Sequence, residues 1–598
     1  MKTIKKILYL LTPKEKKQGI FLLFLILTMA FFDMLGVASI LPFITILTNP
    51  DLIETNIILK NLYQKSFFFG VENEKQFLFI SGIAVFILLI ISLSLKAITQ
   101  YAQIRFSLMR EYSIGKRLVE GYLSQPYVWF LKRHSADIGK NILSEVNMVI
   151  VQTIVPAMNL VVQCSVTVAI LSLLIIIDPI LALCVGFILT FSYWIIFISI
   201  KKFLSRIGSE RLEANKVRFT IISEVFGAIK ETKLAGLEKI YVNRFSKPAK
   251  IYATNQSLAM VIGLLPRYCL EGIAFGGMIV LVLILMARDG NFISIMPTIA
   301  LYAFAGYRLM PALQQTYTAI TQLRFSSPTL NILYNDLVEL QSYEQEKNVN
   351  SFIKLTKSIT LENISFNYPD TKINTLKNIN LKIEAFKKIG IVGTTGSGKT
   401  TMIDIILGLL DANDGILSVD NNPIDKDNRR SWQKSIGYVP QEIYLSDSSI
   451  ESNIAFGVDS EDIDINSVEK ATKIANLHDF IINELPEKYK TTLGERGIRL
   501  SGGQRQRIGI ARALYRKPQI LIMDEGTSAL DNITEDAVMD AVNNLGDGIT
   551  IILIAHRLST VKNCDNIFLL EKGRLKAQGT YEHLLRTNEI FQRMLKNE

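Results

Sequence analysis

Cysteine is scarce in this chain, with four in 598 residues, and their positions show neither paired spacing nor a metal-ligand pattern. A disulfide framework and a cysteine-bound metal module are thereby excluded. Three of them, Cys164, Cys184 and Cys269, lie in or beside apolar runs, where cysteine reads as a small buried hydrophobe. Charge is also nearly missing from long stretches of the first half. With 49% hydrophobic residues and a mean hydropathy of +0.27, the chain is too apolar for an ordinary soluble enzyme. A membrane part followed by a soluble part is the natural partition.

What charge there is gives a net +10 and a pI near 9.1. Much of it flanks apolar runs, as loops on the positive side of a membrane do, so a nucleic-acid partner is rejected. Lys2, Lys5, Lys6, Lys14, Lys16 and Lys17 precede an apolar run far longer than the core of a signal peptide. The N-terminus is therefore expected to stay uncleaved and cytoplasmic.

Apolar spans run near 20–47, 77–99, 148–177, 180–200, 258–287 and 292–323. Each is long enough to cross a hydrocarbon core of about 30 Å at about 1.5 Å per residue. Six crossings return the chain to its starting side, which puts the second half in the cytoplasm. Asp178-Pro179 and Arg288-Asp289-Gly290-Asn291 make short outer connections. The long inner segments, such as Lys201 to Gln256, have few helix breakers and read as membrane helices continuing into the cytosol. Each contains a turn with aromatic or apolar residues, Gln125–Phe130 and Val225–Lys230, suited to a short helix that docks on a partner domain or to an ordinary packed turn. In the outer loop, Ile53–Tyr63 has apolar residues at helical spacing, which fits an interfacial amphipathic helix or a packed loop helix.

Ionisable residues inside the spans are functional candidates because charge in hydrocarbon is costly. Asp33, Glu271 and Arg308 count roughly 20–25 Å inward from the outer ends and Arg267 about 30 Å. That is near the inner headgroup level, where an arginine can bind phosphate bidentately. Ion pairing alone, Arg267 with Glu271 at i,i+4 and Arg308 with Asp33, is the other reading.

After a polar linker at 341–354, the pattern from 355 to 598 becomes short β-type runs alternating with helical ones. Gly393-Thr394-Thr395-Gly396-Ser397-Gly398-Lys399-Thr400 follows the apolar run Lys388–Val392 and opens into Thr401–Leu407. A strand, glycine loop and helix in that order form a phosphate cradle of backbone N–H groups. Lys399 is then expected on the β- and γ-phosphates and the Thr400 hydroxyl on Mg²⁺. Tyr368 precedes the loop by about 25 residues, where an aromatic ring can stack on a base. Gln441 ends the run Ile436–Pro440, suited to Mg²⁺ or a water. Leu500-Ser501-Gly502-Gly503-Gln504 starts a second helix whose N-terminus can hold an anion. Ile520–Asp524 is an apolar strand ending in a carboxylate for Mg²⁺, with Glu525 next to polarise the attacking water. Ile551–Ala555 leads to His556, which can meet the γ-phosphate.

In this order and spacing the motifs resemble those of the ABC transporter family. Residues 393–400 resemble Walker A, 500–504 the LSGGQ signature, and 520–524 with Glu525 Walker B. Tyr368, Gln441, Ser528–Asp531 and His556 stand where the A-, Q-, D- and H-loops are expected, and Gly494–Gly497 resembles the segment by which exporters contact their membrane helices. One departure is Gly526, where alanine is usual. The resemblance implies a half-transporter: an α-helical six-span membrane domain over 1–340 in the exporter fold, followed by an α/β P-loop nucleotide-binding domain. It implies Mg²⁺ and ATP, bound by Thr401 and the 393–400 loop with Tyr368. A second copy would complete each site through its own 501–504. Glu525, His556, Gln441 and Lys399 would carry hydrolysis, with Thr400, Gln441 and Asp524 on the metal. The turns near 125–130 and 225–236 would pass closure to the membrane helices.

The membrane half also looks similar to PglK-type flippases, at Pro266–Phe275, Tyr307–Pro311 and Asp33–Thr45 and in the amphipathic outer loop. That similarity implies outward movement of a polyprenyl-pyrophosphate-linked oligosaccharide in a bacterial inner membrane, with Asp33, Arg267, Glu271 and Arg308 as substrate candidates. The alternative is a multidrug, lipid A-type lipid or peptide exporter, and no peptidase-like extension precedes the first span. Six spans exclude a soluble ABC ATPase acting on DNA or ribosomes. Importers usually keep membrane and ATPase parts on separate chains.

Overall fold

The structure, a computed structural model, describes residues 2–48, 61, 63–64, 73–289, 292–341, 352–369, 371, 373–494, 497–498, 500–524, 548–555 and 557–596. They form two compact units, one of residues 1–125 and 132–344 and the other of residues 126–131 and 345–598.

The first unit is helical. Helix α1 (Lys2–Leu10) leads into α2 (Pro13–Ala38). The Thr12 hydroxyl accepts from the Glu15 N–H at 3.4 Å and the Glu15 carboxylate accepts from the Thr12 N–H at 2.8 Å, with Pro13 at the first helical position. This reciprocal cap satisfies two N–H groups that the helix itself cannot bond. Ser39 separates α2 from α3 (Ile40–Thr48), so one turn interrupts the expected span 20–47, which still lies within a single apolar segment, Pro13–Thr48. Pro42 explains the break, because its ring lacks an N–H and crowds the carbonyl of Ala38 four residues earlier.

Helix α4 (Glu74–Leu123) is 50 residues long and α7 (Pro179–Gly227) is 49, as the breaker-poor inner segments predict. Between them lie α5 (Tyr127–Leu131) and α6 (Ser135–Ile177), the latter with two π-helical turns at Asn141–Glu145 and Ile150–Ile154. Then follow α8 (Ile229–Leu234), α9 (Glu238–Leu264), α10 (Pro266–Asp289), α11 (Phe292–Phe325) and α12 (Ser327–Gln341). The expected span 258–287 is thus interrupted at Leu265, which itself keeps helical angles (φ −52°, ψ −42°), because Pro266 has no N–H to donate and its ring crowds the carbonyl four residues earlier.

Among the described residues, Pro13–Thr48, Glu74–Leu123 and Ser135–Ile177 are long and apolar enough to cross a membrane. Their packing follows from sequence period. Val162, Val166, Ile170 and Leu174, spaced by four, line one face of α6 and pack with Leu22, Ile26 and Met29 of α2 and with Leu301, Ala305 and Leu309 of α11. Of the cysteines read as buried, Cys164 is exposed on α6, because its position lies off that apolar face, while Cys564 is buried. The side chains of Cys184 and Cys269 lie outside the described residues. The expected outer-loop helix 53–63 also falls largely outside them, although Tyr63 meets Phe77 edge-on at 5.2 Å.

The second unit has two sheets. The antiparallel one has the order β2-β1-β4-β5, from β1 (Ser358–Phe366), β2 (Leu376–Glu384), β4 (Asp414–Val419) and β5 (Asn422–Pro423). The other has the order β10-β9-β3-β8-β7-β6, from β3 (Lys388–Gly393), β6 (Ile436–Val439), β7 (Ile520–Asp524), β8 (Thr550–Ile554), β9 (Asn566–Glu571) and β10 (Arg574–Gly579). Its strands are parallel except for β10 against β9. Strands β7 and β8 are buried along their whole length, which is why they read as continuous apolar runs and not as alternating ones. Ile389 pairs with Ile552 and Ile522 with Ile552, so the carboxyl ends of β3, β8 and β7 lie at one edge.

Candidate functional site

Strand β3 ends at Gly393, and the loop leads into helix α13 (Lys399–Ile406). Two glycines make that turn possible. Gly396 and Gly398 have φ of +77° and +99°, and a Cβ on Gly398 would meet Leu376 Cδ2 at 2.8 Å. The Lys399 side chain is folded back on the loop, its Nζ donating to the Gly393 carbonyl at 2.7 Å and the Thr394 carbonyl at 3.4 Å. Thr394, Thr395, Gly396 and Thr400 are exposed, while Ser397 is buried and its Oγ has no hydrogen-bond partner among the described residues. An exposed rim of backbone around an unsatisfied buried hydroxyl and a lysine is an anion cradle. Phosphates fit these residues.

Asp524 ends β7 beside this loop and is buried. It faces a carboxylate that the motif reading did not select, Asp404 of α13. Burial first, and then the Asp524 charge, push the Asp404 carboxyl up to about 6. Burial and the same two carboxylates raise the Tyr438 phenol on β6. Two neighbouring buried carboxylates, one of them on the helix that follows the phosphate loop, make a field that a cation would relieve. The signal available in sequence was a lone carboxylate in the apolar run Met402–Ile406, one helical turn beyond Thr400.

Tyr368, expected to stack on a base, bonds through its hydroxyl to Thr401 Oγ1 at 3.1 Å and packs edge-on against Phe366 at 5.1 Å. Gln441 is exposed two residues after β6. Residues 126–131 cluster with this unit, and Val128 of α5 packs against the core that contains Met402 and Ile405. In the other expected docking turn, Phe226 and Leu234 are 65% and 92% exposed.

Helix α14 (Gly502–Tyr515) starts at Ser501 with a complete capping box. The Gln504 N–H donates to Ser501 Oγ at 3.2 Å and the Ser501 N–H to Gln504 Oε1 at 2.8 Å. The signature residues 501–504 thus present a capped, solvent-facing helix start. Arg512 of α14 holds the segment after Gln441, donating to the Tyr444 carbonyl and the Asn453 carbonyl, each at 2.8 Å. Glu525, Ser528–Asp531, His556, Glu495 and Arg496 lie outside the described residues.

The four span charges form two ion pairs. Arg267 Nε lies 2.7 Å from Glu271 Oε1, and Arg308 Nη1 lies 3.1 Å from Asp33 Oδ1. In the second, Asp33 is buried and Arg308 is 16% exposed, and the Ser92 hydroxyl donates to the same Asp33 oxygen at 3.0 Å. The first is half exposed on α10.

Long apolar helices in one unit and a P-loop parallel sheet in the other define a membrane-associated P-loop ATPase. The sequence profile of the ABC transporter family matches residues 376–528. A relative from Rickettsia bellii, named "Putative export ATP-binding/permease protein", is 32% identical over 405 residues, covering 66% of this chain and 68% of that protein. The heterocyst differentiation ATP-binding protein HepA of Nostoc is 33% identical and covers 68% of each chain. Human ATP-binding cassette sub-family B member 5 is 40% identical over 242 residues, but these span only 19% of that protein. A solved structure of a bacterial Atm1-family ABC exporter with ATP bound superposes with a TM-score of 0.77, at 21% identity, over 97% of this chain and 98% of that one. The chain belongs to the ABC transporter family. It is an ATP-hydrolysing transporter with the exporter-type fold, a helical transmembrane domain followed by an ABC ATPase domain.

Proposed function

We propose that this transporter is a flippase for a polyprenyl-pyrophosphate-linked oligosaccharide, moved from the inner to the outer leaflet of a bacterial cytoplasmic membrane. The observation that carries the reading is Arg267. It stands half exposed at the start of a mostly apolar helix, held by Glu271, where an arginine can meet an anionic headgroup. A pyrophosphate headgroup is such an anion, and Arg308 and Asp33 supply a second polar point. The membrane domain is residues 1–340 with six spans, the linker 341–354 and the ATPase domain 355–598, with the N-terminus and the ATPase cytoplasmic.

Bound ATP with Mg²⁺ supplies the phosphoanhydride whose cleavage drives transport. Lys399 and the N–H groups of 393–400 hold the phosphates, with Thr401 and Tyr368 beside them. Thr400, Gln441 and Asp524 would hold the cation, with Asp404 adding negative charge beside Asp524. Glu525 would polarise the attacking water, and His556 would contact the γ-phosphate. One chain carries one motif set, so Ser501–Gln504 of each copy serve the other copy's cradle in a homodimer.

The test is movement of a labelled lipid-pyrophosphate oligosaccharide across proteoliposomes with ATP, with Glu525→Gln as control. Movement that the variant lacks is expected. ATP hydrolysis without lipid movement would reject the cargo and leave the exporter class intact.

A further inference from the structure

A second feature of the membrane unit is independent of the cargo. A cavity of about 480 Å³ opens between α2 and α4, lined by Gln18, Phe21 and Leu25 on one side and Tyr101, Arg105 and Met109 on the other. It lies at the start of the apolar part of α2 and about 9–22 Å beyond the end of that of α4. The apolar part of α2 begins at Ile20, after Lys14, Lys16 and Lys17, and that of α4 ends at Leu95, before Lys96. Tyrosine and basic side chains gather at the interfacial level just outside such apolar stretches.

The wall of the cavity holds Arg110, which is 7% exposed. Its Nη1 pairs with Glu15 at 2.6 Å and its guanidinium stacks 4.7 Å from the centre of the Phe106 ring. Its Nε, also buried, has no hydrogen-bond partner among the described residues. A buried donor without an acceptor costs about 1–3 kcal/mol, more when charged, so the site is incomplete as it stands. Arg105, at the mouth, donates from Nη1 to the Tyr101 hydroxyl at 3.3 Å and has no carboxylate partner among the described residues. Glu15 neutralises one guanidinium and leaves the other cation uncompensated.

We infer that this groove binds the phosphate of an anionic phospholipid between Arg105 and Arg110, with the first acyl carbons against Phe21 and Leu25. Guanidinium forks match phosphate oxygens, and an apolar wall beside them selects an anion that carries chains over a soluble one. Basic pockets between membrane helices at this depth are suited to acidic lipid headgroups. Asp33 lies about 12 Å further along α2, so this site is separate from the Arg308 pair.

The test uses the full-length protein in detergent, titrated with phosphatidylglycerol or phosphatidylcholine and read by native mass spectrometry. One phosphatidylglycerol per chain is expected to bind with clear preference over phosphatidylcholine. Arg105→Ala should weaken it roughly fivefold, the effect of one basic contact, and Arg105→Lys should restore much of that. Arg105 lies outside the ATPase machinery, so basal ATP turnover reports folding. If Arg105→Ala does not fold, Met109→Trp keeps the charges and fills the groove, and it should abolish the preference. Equal retention of the two lipids, or phosphatidylglycerol binding unchanged in a folded variant, would overturn the proposal. Displacement by millimolar inorganic phosphate would do so as well, by assigning the site to a soluble anion.

Discussion

Arg308 and Asp33 sit 275 residues apart in the chain yet share an ion pair of 3.1 Å with its carboxylate end buried, closed by the Ser92 hydroxyl on the same carboxylate oxygen. The Asp33 side chain is 2% exposed, and removing Arg308 would leave a buried carboxylate without its cation. Arg308→Gln alone should therefore destabilise the protein by about 3–5 kcal/mol, read as a lower melting temperature in detergent. Arg308→Gln with Asp33→Asn removes the stranded charge and should recover most of that loss. A double variant as unstable as the single one would mean that the pair is not what holds the helices together.

Lys399 Nζ rests on the Gly393 carbonyl at the mouth of the phosphate loop. Lys399→Ala should lower ATP turnover by about 100-fold or more, the scale of losing a preorganised cationic contact, and Glu525→Gln should do the same. Phosphate release from the purified protein decides it, and substantial turnover in either variant would undo the assignment of roles.

Gly208 of α7 is a packing requirement. A Cβ there would lie 2.1 Å from the Phe325 carbonyl oxygen, which is backbone and cannot swing away. Gly208→Ala should cost roughly 1–3 kcal/mol or more. Gly115 of α4 has open space around its Cβ position. Gly115→Ala should be neutral or stabilising by up to about 1 kcal/mol, the gain in helix propensity. Thermal unfolding of the two variants side by side tests the contrast.

Asp420 ties down the start of the ATPase unit. Burial raises its carboxyl, but bonds from the Thr356 hydroxyl and from the N–H groups of Ser358, Thr356 and Lys357 outweigh this and hold it below the usual range. A carboxylate whose folded pKa is depressed stabilises the fold above its unfolded value, and that stability is lost as pH falls through the folded one. Stability from this group should thus be present above about pH 4 and decline below it. Asp420→Asn should reduce stability at neutral pH and flatten the acid limb of a melting-temperature profile.

Pattern within short stretches carried much of this protein into view. The run Ser358–Phe366 is a strand over the same residues, the phosphate loop joins a strand to a helix as its glycines require, and Arg267 pairs with Glu271 because one helical turn separates them. Each depends on local spacing, which the chain states directly. The two breaks, at Ser39 and Leu265, were equally local but lay hidden in apolar runs, where hydropathy outweighs the signal of a single proline.

The sequence by itself determined the class of this protein, because the phosphate loop, the signature helix start and the acidic strand end are contiguous motifs whose chemistry is set by spacing. The tertiary structure decided which distant groups share a field. It set Asp404 against Asp524, whose mutual repulsion no linear pattern expresses, and joined Asp33 to Arg308. It also closed Arg110 and Arg105 around one cavity, since helices cross where their side chains interlock and not where the chain runs adjacent.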